Sequence, residues 1–242
     1  YAYHLLYANH LMGNSEKYQN KTTGIRNLKL NAYLSSIIFS LPPLPEQRRI
    51  AAILDSADAI RQKRKAAIAK LDELAQSVFY EMFGDPVKNE KGWKSKPLTE
   101  ACKLYSGGTP TTTDESLWEN DIPWFSPKDM KKTYLEDAID HISMKCVSTG
   151  RLQLLPENTI AIVVRGMILA HTFPVCCITR RATINQDMKA LLIKEPIHSE
   201  FLLYCLLAQS KHALSLVSVS AHGTMRLDTK ALDNIKVILP EI

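Results

Sequence analysis

Long apolar runs are missing from this sequence. The run at residues 160–164 has the length of a single buried strand, and Arg165 follows it directly. A helix that crosses a bilayer needs about 20 consecutive apolar residues. We therefore expect no membrane-spanning segment and no membrane among the partners of the protein.

Paired cysteine motifs and a secretory signal are also absent. The five cysteines form no Cys-x-x-Cys pair; they are Cys102, Cys146, Cys176, Cys177 and Cys205. Because disulfides persist mainly in oxidising compartments, this pattern predicts reduced, mostly buried thiols in a cytoplasmic protein. Residue 1 is a tyrosine within an apolar pattern and not an initiator methionine, so we expect a fragment, or a processed or incomplete product.

Catalytic motifs are the third absence. The loop at residues 106–113 is rich in glycine and hydroxyl groups, but it lacks the Gly-Lys-Ser/Thr ending of a phosphate-binding loop. The Asn/Asp-Pro-Pro-aromatic motif of amino-methyltransferases is missing, and the histidines are scattered without a ligand set or a nucleophile beside them. We predict a non-catalytic protein without a cofactor or a metal. A methyltransferase or nuclease is the alternative hypothesis.

Proline and glycine do not occur between residues 46 and 83. Three prolines stand immediately before this stretch, where they favour an extended approach and then the first turn of a helix. Gly84 and Pro86 follow it and are typical of a helix stop. The sequence predicts a single helix over residues 46–83, about 57 Å long at about 1.5 Å per residue.

Apolar residues recur along this predicted helix at alternating spacings of three and four, which is typical of a coiled-coil seam. The predicted helix-pairing positions are Ile50, Ile53, Ala57, Ile60, Leu71, Leu74 and Val78. Arg64 interrupts the seam within a basic cluster at residues 61–65, which indicates either a solvated face or a surface for phosphates or a partner. Such a seam needs a second helix, from a second copy, a second chain or a repeat beyond Ile242. A pure coiled-coil scaffold is a further alternative.

Two segments about 200 residues apart follow the same plan. Each predicts an amphipathic helix, a basic loop, a short helix and a strand that leads into proline. The first segment begins at Tyr3 and ends with a predicted strand at residues 37–41. The second begins at Tyr204 and ends with a predicted strand at residues 235–239. An internal repeat explains the match, and chance similarity between two short α/β stretches is the alternative.

After residue 84 the pattern changes to short strands and turns. Trp93 and Leu98 are predicted core residues. Trp124 and Phe125 stand beside basic residues, so they belong either to the core or to a nucleic-acid face. The formal charge of +5 and the pI of about 8.9 permit nucleic-acid binding without requiring it.

Several polar side chains in this part have the chemistry of nucleic-acid contacts. Arg165 stands at a predicted strand end, and arginine suits guanine or phosphate. Asn185 and Gln186 could read adenine, although a turn role for Asn185 is equally open. The candidate DNA-binding residues are Thr109, Thr111, Lys128, Lys131, Arg165, Arg180, Arg181 and Arg226.

Six short motifs run in a fixed order through the chain. They are Leu-Pro-Pro-Leu-Pro-Glu-Gln at 41–47, Gly-Trp-Lys at 92–94, Ser-Gly-Gly-Thr-Pro at 106–110, Ile-Pro-Trp at 122–124, Thr-Ile-Asn-Gln at 183–186 and Ile-Leu-Pro at 238–240. Together with the long helix they resemble the DNA specificity subunit of type I restriction-modification systems. The resemblance covers essentially the whole chain.

This resemblance implies an α+β fold, with a long coiled-coil-type helix attached to a globular mixed α/β target-recognition domain. Residues 1–44 would be the C-terminal tail of a first recognition domain, 45–83 the conserved spacer helix, and 84–242 a second recognition domain. The implied function is sequence-specific binding to half of a bipartite site in double-stranded DNA. The implied partners are methyltransferase subunits, which dock through the spacer helix, and restriction subunits. A homodimer through the helix is also plausible.

Overall fold

The computed structural model describes residues 1–22, 25–119, 121–220 and 223–241. The chain divides into two compact units, Tyr1–Asp72 and Glu73–Ile242. The helices are α1 (Ala2–Leu11), α2 (Leu30–Ser36), α3 (Leu44–Phe83), α4 (Leu98–Ala101), α5 (Lys145–Ser148), α6 (Ser199–Ala208), α7 (Ser210–Ser215) and α8 (Thr229–Asp233).

Fourteen short strands accompany these helices in the described residues. They are β1 (Gln19–Thr22), β2 (Ile25–Leu28), β3 (Lys94–Pro97), β4 (Cys102–Ser106), β5 (Ile122–Phe125), β6 (Tyr134–Leu135), β7 (Asp140–Ile142), β8 (Thr159–Val163), β9 (Val175–Ile178), β10 (Thr183–Ile184), β11 (Met188–Ile193), β12 (Ser218–Val219), β13 (Met225–Arg226) and β14 (Lys236–Leu239). Short 3-10 turns lie at Glu16–Tyr18, Glu115–Leu117, Pro127–Asp129 and Met167–Ala170.

The first unit contains α1, the antiparallel β1–β2 hairpin, α2 and the greater part of α3. Few of its side chains are buried, and none in α1. His4 Nε2 lies 2.8 Å from Asp55 Oδ1 and ties α1 to α3. This unit therefore holds its helices by local contacts and leaves much apolar surface open.

The long helix α3 confirms the prediction made from the missing proline and glycine. It runs for 40 residues with Pro45 in its first turn, where the absent proline N–H costs nothing. Of the seam, Ile50 is half-buried and the other six predicted pairing positions are exposed, as is every residue from 59 to 74. No other part of the described chain therefore covers this stretch, although a helix gains most of its stability from packing.

No described helix combines the length and the apolar character that a bilayer crossing demands.

The second unit is built on a five-stranded sheet in the order β4-β11-β8-β9-β6. All five residues of β8 are buried, which confirms the strand predicted from the apolar run. Helix α6 packs on this sheet with Leu202, Leu203 and Leu206 fully buried. A smaller sheet in the order β10-β5-β7 has its own core, which includes Trp124. The α+β fold class is confirmed.

The C-terminal end of α3 is part of this second unit. Phe79 packs against Phe83 and Phe201, with ring centroids 5.1 and 5.6 Å away. The last carbonyl groups of the helix are capped by distant donors: Trp93 Nε1 donates to Phe83 O at 2.9 Å, and Lys91 Nζ donates to Met82 O at 2.7 Å. Because helix ends leave carbonyl groups without partners, these bonds and the aromatic packing fix the domain to the helix end.

The predicted strand at residues 37–41 is wrong, since no strand forms there. Its repeat counterpart, β14, pairs with β3 through Lys236–Pro97, Val237–Lys96, Ile238–Ser95 and Leu239–Lys94. A strand needs a neighbour for its backbone hydrogen bonds. Within the described residues, no strand stands beside residues 37–41, so the same pattern stays irregular. The two helices of the repeat do recur, since α1 and α2 correspond to α6 and α8, while residues 23, 24, 221 and 222 of the two basic loops lie outside the described residues.

Candidate nucleic-acid interface

All eight candidate DNA-binding residues lie in the second unit with exposed side chains. They come from strand ends and loops, which a rigid sheet positions. Most of them fall into two neighbouring groups, one around the turn after β10 and one around the turn after β5.

The edge of the small sheet collects the ends of three strands. β10 runs parallel to β5, pairing Ile184 with Phe125, and β7 runs antiparallel, pairing Asp140 with Trp124. The carboxyl ends of β5 and β10 and the amino end of β7 therefore meet at one edge. Neighbouring strands are about 4.8 Å apart, so residues that follow β10 lie about 10 Å from those that precede β7. Gln186 and Lys128 both belong to this edge.

Two of the sequence motifs contact each other here. The backbone N–H of Gly108 donates to Ile184 O at 3.0 Å, and the Thr109 hydroxyl bonds to Gln186 Oε1. The glycine-rich loop after β4 thus lies on the turn after β10. The contact gives the Thr109 hydroxyl a structural partner that is independent of any phosphate.

Arg165 and Arg226 are neighbours across an isolated antiparallel bridge. Gly166 N donates to Met225 O at 3.0 Å, and Leu227 N donates to Val164 O at 2.9 Å. The turn after β10 joins them, because Val164 N donates to Asp187 O at 2.8 Å. We call the resulting surface, formed by residues 107–109, 164–166, 185–187 and 225–227, the polar ridge. It brings Thr109, Arg165 and Arg226 together.

A second group surrounds the turn after β5. The buried carboxylate of Asp129 accepts from Ser126 N at 2.8 Å and from Ile139 N at 2.9 Å. These bonds fix the backbone of the turn that contains Lys128. The Lys128 ammonium group bonds to Asp140. A surface cavity of about 490 Å³ lies beside this turn, and Lys131 is among its lining residues.

Arg180 joins this second group through an acidic residue. Its Nη1 atom lies 3.8 Å from Asp137 Oδ1, and His141 Nε2 lies 2.8 Å from the same oxygen. The hydrogen bond with His141, the Ala138 N–H and the charge of Arg180 lower the pKa of Asp137. The carboxylate therefore stays ionised and partly offsets the positive charge of this group.

Thr111 and Arg181 lie outside these two groups. Thr111 lines a cavity of about 350 Å³ together with Thr109 and Arg151. Arg181 is exposed beside Ala182, which forms a bridge with Leu155. Arg151 was not among the predicted residues, and its place after a Thr-Gly turn was the only signal in the sequence.

The structure resolves several alternatives that the sequence left open. Trp124 is 7% exposed and Phe125 is fully buried, so both belong to the core. Asn185 is buried and its Oδ1 accepts from Asp187 N at 3.0 Å, which is the turn role. Gln186 is exposed on the polar ridge. Trp93 and Leu98 also pack in the cores, as predicted.

The described cysteines confirm the predicted thiol state, since all five are free and buried. Burial raises the pKa of Cys205 to about 11 and that of Cys102 to about 12. Across residues 1–22, 25–119, 121–220 and 223–241, no group of three or more His, Cys, Asp or Glu side chains is arranged to hold a metal ion.

Comparison with known proteins agrees with the fold and the motifs. The chain is 32% identical over 197 residues to the type I restriction enzyme EcoR124I/EcoR124II specificity subunit of Escherichia coli, covering 81% of this chain and 48% of that subunit. It is 29% identical over 120 residues to the MjaIX specificity subunit of Methanocaldococcus jannaschii, covering 48% of this chain and 27% of that protein. The chain thus spans at most about half the length of these curated relatives.

A solved chain from a study of complex assembly and conformational transition of the type I R-M system shares the fold. Its TM-score is 0.50 at 22% identity, covering 83% of this chain and 48% of that chain. Residues 1–70 and 90–242 match the family model of the type I restriction modification DNA specificity domain. The chain therefore belongs to the type I restriction modification DNA specificity domain family.

Proposed function

We propose that this chain binds double-stranded DNA in a sequence-specific manner, as the specificity subunit of a type I restriction-modification complex. It would read one half of a bipartite site. The observation that carries the proposal is the polar ridge, where the exposed Arg165 and Arg226 are bridge partners and the exposed Thr109 is joined to them through the turn at residues 186 and 187.

The chemistry of the ridge suits a DNA groove. An arginine guanidinium can grip guanine O6 and N7 with two hydrogen bonds, or a phosphate. Backbone hydrogen bonds hold the segments that carry Arg165 and Arg226 against each other. Little conformational entropy of the backbone is therefore lost on binding. Lys128, Lys131 and Arg180 add positive charge for phosphates, which position a protein on the duplex without reading its sequence.

The roles of the remaining parts follow from the family. Residues 1–44 would be the end of a first recognition domain, 45–83 the spacer helix, and 84–242 the second recognition domain. Methyltransferase subunits would dock on the spacer helix, and restriction subunits would join the complex. The chain itself would catalyse nothing, need no cofactor and act in the cytoplasm.

We also propose that two copies pair through the exposed seam of α3. In an antiparallel pair of helices, the two kinds of seam position face each other across the dyad. One register pairs apolar residues with one another along the seam and places Arg64 opposite an alanine. Its facing pairs are Ile53 with Val78, Ala57 with Leu74, Ile60 with Leu71, and Arg64 with Ala67. Such a self-complementary surface is what a two-fold dimer requires.

Selection from a random duplex library would test the main proposal. The purified chain should enrich a defined half-site, and fluorescence anisotropy should show tighter binding to it than to a scrambled duplex. Affinity for both should fall steeply with salt, because phosphate contacts release counterions. Binding that depends on neither sequence nor salt would contradict the proposal. Methyl transfer by the chain alone would support the enzyme alternative.

A further inference from the structure

The middle of α3 carries a run of basic residues with no acidic residue among them. Residues 59–71 contain no aspartate or glutamate and five basic residues, namely Arg61, Lys63, Arg64, Lys65 and Lys70. All of them are exposed. Among the described ion pairs only Arg61 has a partner, with its Nη2 atom 3.1 Å from Asp58 Oδ1.

Helix geometry sorts these residues onto two flanks of the seam. At about 100° per residue, Arg64 lies in the seam, Arg61 and Lys65 lie on one side of it, and Lys63 and Lys70 lie on the other. The Arg61 flank also contains Asp58 and Asp72. The Lys63 flank continues with residues 52, 56 and 59, which are Ala, Ser and Ala. Between residues 56 and 70 this flank is basic and free of acidic residues, and Glu73 follows Lys70 by three residues on the same side.

Antiparallel pairing doubles this charge. The two-fold axis places the same flank of both helices on the same side of the pair, so one side presents Lys63 and Lys70 from each copy. In the register that places Arg64 of one copy opposite Ala67 of the other, Lys63 of one copy lies beside Lys70 of the other. Like charges in such positions repel, so this side of the pair favours an anion that spans both helices.

We propose that the Lys63–Lys70 flank contacts the phosphates of the DNA between the two half-sites. This inference rests on the proposed function, in which two recognition domains bind one duplex with α3 between them. A helix of 40 residues is about 60 Å long at about 1.5 Å per residue, which matches about 18 base pairs at about 3.4 Å each. Short side chains at Ala52, Ser56 and Ala59 leave the lysines as the most prominent groups. The contact would be independent of sequence and would hold the spacer DNA against the helix pair.

Two double variants with equal loss of charge provide the test. Lys63→Gln with Lys70→Gln removes the proposed phosphate-binding side chains, and Arg61→Gln with Lys65→Gln removes the same charge from the opposite flank. Affinity for a duplex that carries both half-sites is measured by anisotropy over a series of salt concentrations. In the first variant, the slope of log affinity against log salt should fall by about 0.9 for each phosphate that the protein no longer neutralises. In the second variant, the slope should stay near the wild-type value.

Three outcomes would overturn the inference. Equal slopes in both variants would show general electrostatic attraction, and unchanged slopes would show that the flank does not touch DNA. Unchanged DNA binding together with weaker binding of methyltransferase subunits would assign the lysines to a protein surface instead. Circular dichroism and sedimentation confirm that both variants remain helical and keep the wild-type oligomeric state. If the wild-type chain has no sequence preference for DNA, the proposed function itself fails, which is a distinct result.

Discussion

Gly107 lies so close to Ile184 that a Cβ atom built on it would stand 1.9 Å from the Ile184 carbonyl oxygen. Both residues belong to backbone segments that shape the polar ridge, and neither segment can move as a side chain would. The contact joins the loop after β4 to the turn after β10. Glycine at this position is therefore a requirement for the shape of the ridge.

Gly107→Ala should destabilise the protein by about 1–3 kcal/mol, the usual cost of overpacking, and should weaken DNA binding further by displacing Gln186. Urea denaturation and anisotropy would measure the two effects. Gly108→Ala is the matched control, because its new Cβ would meet only the flexible end of Leu152 at 3.0 Å. Equal stability of the two variants would contradict the argument.

Removal of the ridge arginines should weaken DNA binding without unfolding the chain, because both side chains are exposed. Arg165→Gln and Arg226→Gln should each cost about 1–3 kcal/mol if the arginine reads a base, and specificity at one position should then relax. A phosphate contact would instead weaken all sequences alike. Lys211→Gln, an exposed change on α7, should leave the affinity unchanged. Wild-type affinity in both arginine variants would remove the ridge from the interface.

Phe79→Ala should destabilise the second unit by about 3–5 kcal/mol, as is typical for a buried aromatic residue. Phe79 is 5% exposed and packs against Phe83 and Phe201. Chemical denaturation followed by tryptophan fluorescence would report the loss of stability, since Trp93 lies in the same cluster. Ser77→Ala shortens an exposed side chain on the same helix and should change stability by less than about 0.5 kcal/mol.

Polar substitution of the α3 seam should abolish self-association. Ile60 and Leu71 are 53% and 63% exposed in the single chain, so Ile60→Asn with Leu71→Asn should leave its fold intact. Sedimentation velocity should show a concentration-dependent dimer for the wild type and a monomer for the double variant. A wild-type chain that stays monomeric at every concentration tested would contradict homodimer formation.

The thiols should react slowly in the native state. With a pKa of about 11, the Cys205 thiol is ionised in only about one molecule in a thousand at pH near 8, and only the thiolate is nucleophilic. Burial, which raises this pKa, also blocks the reagent. All five cysteines should react with an aromatic disulfide reagent in concentrated guanidinium chloride and hardly at all in native buffer. Reaction should accelerate as pH rises toward these pKa values, and rapid native labelling would contradict the burial.

Local sequence signals were sufficient where a residue's own neighbours determine the outcome. The helix α3 begins at Leu44 and ends at Phe83, within two residues of the prediction, because no proline or glycine interrupts it and Gly84 ends it. The strand β8 was clear from its apolar composition. For Asn185 the turn role, one of the two alternatives open in the sequence, is the one that forms, because its side chain accepts from a backbone N–H two residues away.

Contacts between distant segments were beyond the sequence patterns. Residues 37–41 have the composition of a strand, yet Ile38 is 97% exposed, because strand formation depends on a neighbour that no local pattern can supply. The bond of Thr109 with Gln186 and the bridge of Arg165 with Arg226 likewise depend on how the sheets pack. The individual candidates could be chosen from their chemistry, but their grouping into a ridge could not be predicted.

The pairing of β3 with β14 has a consequence for engineering. The first and last strands of the second unit are hydrogen-bonded to each other, from Lys94 with Leu239 to Pro97 with Lys236, so the ends of the unit meet beside the end of α3. A module closed in this way has one point of attachment and can be exchanged as a cassette. Replacing residues 94–239 with the matching segment of a relative should transplant a whole DNA reader onto an unaltered helix.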